Sequence, residues 1–164
     1  MKIASLSEIK KELNRLTNLE LLGILLDLAK FSADNKKYLF FKLYERDNPG
    51  IFLEMVQEEL AEAFHNANTN NYYYTKKSAQ SIRKTLNKYL KLTKDKTQQI
   101  DLIVYFCELM LEFNFLNFGH PVIENIYYAQ LGKIDKLVAG LHEDLQFDYQ
   151  EKIVELREKV SEVR

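Results

Sequence analysis

Between residues 121 and 141 the large apolar side chains, Ile123, Ile126, Tyr127, Leu131, Ile134 and Leu137, return every three or four positions and do not alternate. A strand turns successive side chains to opposite faces, so a half-buried strand needs a period of two. A helix gathers residues three and four apart onto one side. The same interval runs through Ala79, Ile82, Leu86, Tyr89 and Leu90. β-branched and aromatic residues are modest helix formers, but packing of one apolar face outweighs that preference. No segment reads as strand, and the chain is expected to be all-α.

Helix starts are marked by side chains that can satisfy the amides left unpaired in a first turn. Ser5 with Glu8 and Thr17 with Glu20 match the capping box, predicting helices over about 6–16 and 18–31. Asp34 or Asn35 is placed to cap a third helix ending near Arg46, and Asn48-Pro49 opens a fourth that runs to about residue 66. A polar linker, 66–71, precedes a fifth helix over 72–92. The sixth, over 97–116, is apolar on most sides and is the expected centre of the core. Gly119-His120-Pro121 separates it from a seventh over 121–141, and an eighth runs from about 144 to the end. Short connections favour antiparallel neighbours, giving four hairpins, 6–31, 35–66, 72–116 and 121–164. These would form one domain, 1–164, as a short α-solenoid-like (HEAT/ARM-like) stack or a compact multi-helix bundle. No motif recurs at a fixed period, and similar helix lengths favour the stack.

Composition excludes several classes. A chain of 164 residues with 46% apolar and 29% charged residues, five glycines and two prolines can bury a core without metal or disulfide. A net charge of −1 gives no global attraction to nucleic acid or anionic membranes. The lone Cys107 is expected in the core. The N-terminal residues turn polar too soon for an export signal, and the apolar window 100–118 carries Asp101, Glu108 and Glu112, which are costly inside a bilayer. The expected setting is cytoplasmic, with no membrane and no cofactor.

Three constellations carry chemistry. Lys76, Lys77, Arg83, Lys84, Lys88, Lys91, Lys94 and Lys96 are opposed only by Asp95. The helical members fall within a sector of about 140° opposite the apolar face. Tyr72, Tyr73 and Tyr74 precede them, and aromatic rings beside lysines suit stacked bases and phosphates. The alternative is a solvated face, or one paired with Glu54, Glu58, Glu59 and Glu62 of the preceding helix.

Glu62 and His65 have the Glu-x-x-His spacing of di-iron bundles, with Glu58 on the same face, but a second such pair is missing. Tyr149, Ile153, Leu156, Val160 and Val163 recur at four, three, four and three, a heptad seam for self-association or for packing on the chain's own core. Phe113, Phe115 and Phe118 offer a second surface for self-association. His120 beside Pro121 reads as a capping residue before a general base, and Glu108 with Glu112 marks the one wet edge of the sixth helix. No nucleophile motif, Gly-rich phosphate loop or paired-cysteine motif appears.

The run Leu25-Leu26-Asp27-Leu28-Ala29-Lys30-Phe31, then Asn35-Lys36-Lys37-Tyr38-Leu39 and Tyr105-Phe106-Cys107-Glu108, resembles a family of small all-helical bacterial proteins of unassigned activity. The resemblance implies a helical, cytoplasmic bacterial protein and brings no site residues. The expected function is a non-enzymatic protein-interaction domain, acting as scaffold or adaptor with an unidentified protein partner or as a homodimer. The alternative is nucleic-acid binding through the basic stripe.

Overall fold

The computed structural model describes residues 3–163, with side chains through residue 160. All regular structure among them is helical: α1 (Leu6–Leu13), α2 (Asn18–Phe31), α3 (Ala33–Tyr44), α4 (Ile51–His65), α5 (Tyr72–Leu90), α6 (Lys96–Glu112), a 3-10 turn (Phe115–Phe118), α7 (Pro121–Val138) and α8 (Glu143–Val163). The chain clusters into two compact units, Met1–Ile51 and Phe52–Arg164.

Both capping boxes form. Glu8 accepts the Ser5 amide at 2.7 Å and Glu20 accepts the Thr17 amide at 2.7 Å. These bonds hold both carboxyls below the usual carboxylate range. The third cap differs from expectation. Ser32, the single extended residue between α2 and α3, takes the Asn35 amide at 3.0 Å. Asn35 instead donates its side-chain amide back to the Leu28 carbonyl at 2.9 Å. Helix α4 also starts later than Pro49, because Gly50 sits at φ 101, outside helical space. Helix α6 stops at Glu112 and not near 116, since Asn114 adopts a left-handed conformation (φ 57) and the chain continues as the 3-10 turn.

In the first unit α2 packs on α3, two helices that the hairpin scheme had placed in different pairs. A linker of one residue leaves them little choice but to fold back on each other. Phe40 stacks on Tyr44 at 4.6 Å between ring centres. Helices α1 and α2 contain no buried residue, and α3 buries Phe41.

The second unit is built around α6, which buries Ile100, Leu102, Ile103, Val104, Phe106, Cys107, Leu109 and Met110. It meets α5, α7 and α8, and Phe64 of α4 lies edge-on to Phe106 at 5.4 Å. The hairpins α5–α6 and α7–α8 form as expected, with α5 also against α7. Phe52, Val56, Leu60 and Phe64 give α4 one buried stripe at spacings of four. Burial pushes the Cys107 thiol up, away from its reactive form.

Phe106 is fully buried and touches the ring of Phe64. Replacing it with alanine leaves a cavity at the centre of the second unit. Phe106→Ala is expected to cost about 3–5 kcal/mol, read as a drop in the urea midpoint at constant slope. A loss under 1 kcal/mol would place the core elsewhere.

Candidate functional site

The basic stripe divides once its side chains are placed. Asn71 starts α5 by accepting the amides of Tyr73 and Tyr74 at 3.0 and 3.1 Å. Tyr72, Tyr73 and Tyr74 are exposed, but all three rings are already engaged, Tyr74 edge-on to Tyr73 at 5.4 Å. Tyr72 stacks on His120 at 5.5 Å with planes 14° apart. The ammonium groups of Lys76 and Lys77 sit 5.6 and 4.5 Å from the Tyr73 ring centre. Lys77 also bonds to the Tyr73 hydroxyl, lowering that phenol's pKa and raising its own.

Further along, Arg83 is half-buried, and its buried Nε lacks a hydrogen-bond partner. Lys88 is half-buried and lies over the Tyr89 ring at 5.7 Å. Lys77, Lys84 and Lys91 remain exposed. Their seven-residue spacing puts them in one line about 10 Å apart.

Pairing with the glutamates of α4 is one of the two alternatives for this face, a solvated face being the other. Glu54, Glu58 and Glu62 are instead exposed, at spacings of four on one side of α4, and form no ion pair with Lys76, Lys77, Lys84 or Lys91. Glu59 alone turns to α5, where it accepts the Tyr89 hydroxyl. This half-buried hydrogen bond joins the two helices polar to polar.

His65 is exposed with Glu58 and Glu62, and among the described residues no group of three His, Cys, Asp or Glu side chains is gathered as a metal site. His120 caps α7, its Nδ1 accepting the Val122 amide at 3.2 Å. That bond places any ring proton on Nε2. Glu112 is exposed and Glu108 half-buried, the wet edge expected of α6. Glu108 is paired there with Lys152 of α8 at 3.3 Å.

The terminal seam is taken up by its own unit. Ile153, Leu156 and Val160 are buried, Tyr149 donates to Asp101 of α6 at 2.9 Å, and the Leu156 carbonyl accepts the buried Tyr127 hydroxyl at 2.9 Å. Val163 lies outside the residues whose side chains are described. Of the aromatic surface, Phe115 is buried and lies 5.1 Å from the Phe64 ring, Phe113 joins the same cluster at 5.9 Å, and Phe118 is exposed. Core packing, the alternative held beside self-association for this seam, is what these side chains do.

Two features were not singled out from sequence. The first is the surface of α2. Leu19 is 78% exposed and Phe31 86% exposed, with Leu22, Ile24, Leu25, Leu26 and Leu28 exposed between them. The signal was present, since an apolar arc this wide, interrupted only by the strip of Glu20, Asp27 and Lys30, is one that needs burial.

The second is a cleft of about 510 Å³ between α5, α6 and α7. Its floor is Leu90, Ile103 and Leu137, and Lys91, Lys133 and Lys136 stand around it. Lys133 donates to Asn87 at 2.8 Å. Burial, then the charge of Arg83, lowers the pKa of its ammonium group. No sequence signal joins Lys91 to two lysines more than forty positions away. Another cleft, between α7 and α8, is crossed by Arg157, which binds both carboxylate oxygens of Asp135 at 2.9 and 2.7 Å.

No protein-family model, curated protein or solved structure matches the chain. Among the described residues no helix is long and apolar enough to cross a membrane.

Gln130 of α7 is 1% exposed, and its Oε1 has no hydrogen-bond partner. An orphaned buried carbonyl costs about 1–3 kcal/mol. Gln130→Met keeps the volume and removes that oxygen, so a rise in stability of about 1 kcal/mol is expected from urea unfolding. A fall would show that a buried water already satisfies the amide.

Proposed function

We propose that this protein is a non-enzymatic interaction module that docks a protein partner on the apolar surface of α2. The observation that carries the reading is a helix with leucine, isoleucine and phenylalanine over a broad arc outside a polar strip of Glu20, Asp27 and Lys30, and with no buried residue. Exposed apolar area of this kind costs roughly 25 cal/mol per Å² in water, and burial against another protein recovers it. Three side chains of types that serve as catalysts have structural employment. His120 caps a helix, Cys107 is buried and Glu108 is paired with Lys152. A second copy of the chain is the partner to test first.

Sedimentation equilibrium is expected to detect association at micromolar concentration, and the pair Leu22→Glu and Leu26→Glu is expected to abolish it without loss of helical signal from the second unit. A monomer whose α2 amides exchange as slowly as those of α6 would overturn the reading, because α2 would then be buried within one chain.

Nucleic-acid binding is the second reading, supported by the line of Lys77, Lys84 and Lys91 that the α4 glutamates leave uncovered. Three phosphate contacts on a single strand give a slope of about −2 in log affinity against log salt. Fluorescence anisotropy with mixed-sequence single strands is expected to show weak binding with that slope, lost when Lys84 is changed to glutamate. A slope near zero would remove this reading.

A further inference from the structure

The geometry points to the cleft between α5, α6 and α7 as a binding site for a small amphiphilic anion, a carboxylate or phosphate head carried on an apolar body. At about 510 Å³ the space lies within the usual range for small-molecule sites. Its two chemistries are segregated. Leu90, Ile103 and Leu137 supply the floor, and Lys91, Lys133 and Lys136 supply the charge, with no carboxylate among the lining residues.

The cations have few competing partners. Among the described residues Lys91 and Lys136 have no ion-pair or side-chain hydrogen-bond partner. Lys133 is held by the neutral Asn87 side chain and repelled by Arg83. Asp135, next to Lys136 in sequence, is engaged with Arg157. An incoming anion would therefore meet uncompensated positive charge, part of it poorly solvated, where electrostatic attraction exceeds its value in open water.

Each half of the occupant answers a separate feature. A bare anion leaves the floor wet, and an uncharged apolar molecule leaves three ammonium groups unanswered. A cationic amphiphile would be repelled. Charge complementarity selects the anionic amphiphile, and the site is independent of the α2 surface, which belongs to the other unit.

The test is a titration followed by amide chemical shifts and calorimetry, with decanoate and decyl phosphate as probes. Decyltrimethylammonium serves as the charge control and inorganic phosphate as the head alone. Saturable shifts are expected around residues 87–91, 99–103 and 133–137. Lys133→Gln combined with Lys136→Gln is expected to weaken binding at least tenfold, and the exposed Lys91→Gln severalfold with unchanged circular dichroism. Lys10→Gln combined with Lys11→Gln, on α1, lowers the net charge equally and is expected to leave affinity unchanged. The inference is overturned if no saturable shift appears at those amides, or if the cationic amphiphile binds equally well. Inorganic phosphate matching decyl phosphate, or the cleft variants binding as the unchanged protein does, would also overturn it.

Discussion

Burial of α6 is the constraint on which the second unit depends. Eight of its side chains lie in the core, spread around most of the helix, so the other helices are arranged by the need to cover it. Its remaining edge holds Asp101, Tyr105, Glu108 and Glu112, none of them buried. Along that edge α8 is attached through polar groups, Tyr149 on Asp101 and Lys152 on Glu108. Its apolar side, Ile153, Leu156 and Val160, is meanwhile turned into the core. Apolar area supplies the driving force for this packing, and the polar contacts set where along α6 the last helix rests.

The first unit presents the opposite case. Helix α2 is apolar over most of its circumference, with Glu20, Asp27 and Lys30 on the remaining strip, yet α3 covers too little of it to bury any residue. The two helices thus share a sequence property and differ in what surrounds them. This contrast is why the proposed interaction function is placed on α2: its exposed surface has the character of a core with one side missing.

Charge follows the same logic. Read along one helix, the lysines of α5 form a broad stripe. In the folded unit Arg83 is half-buried and its charge reaches Lys133 of α7, Lys76 and Lys77 gather on Tyr73, and Lys84 and Lys91 stay exposed in line with Lys77. Meanwhile Lys91 is brought together with Lys133 and Lys136 over an apolar floor. A distributed surface charge suited to a polymer becomes, at one end of α5, a localised charge suited to a small anion.

The sequence by itself determined which residues are helical and where several helices begin, because those signals are local. Capping boxes act over three residues, and helix faces repeat over three and four. Thus Ser5, Thr17 and the centrality of α6 were legible. Where local signals competed, they misled: Ser32, and not Asp34 or Asn35, caps α3, and Asn114 ends α6 before 116. Only the tertiary structure decided that α2 pairs with α3, that Glu54, Glu58 and Glu62 stand apart from the α5 lysines, and that Lys91 meets Lys133 and Lys136. These outcomes depend on how helices rotate and settle against one another. That is set by the sum of many weak packing contacts across distant segments, and no interval within a single helix records it.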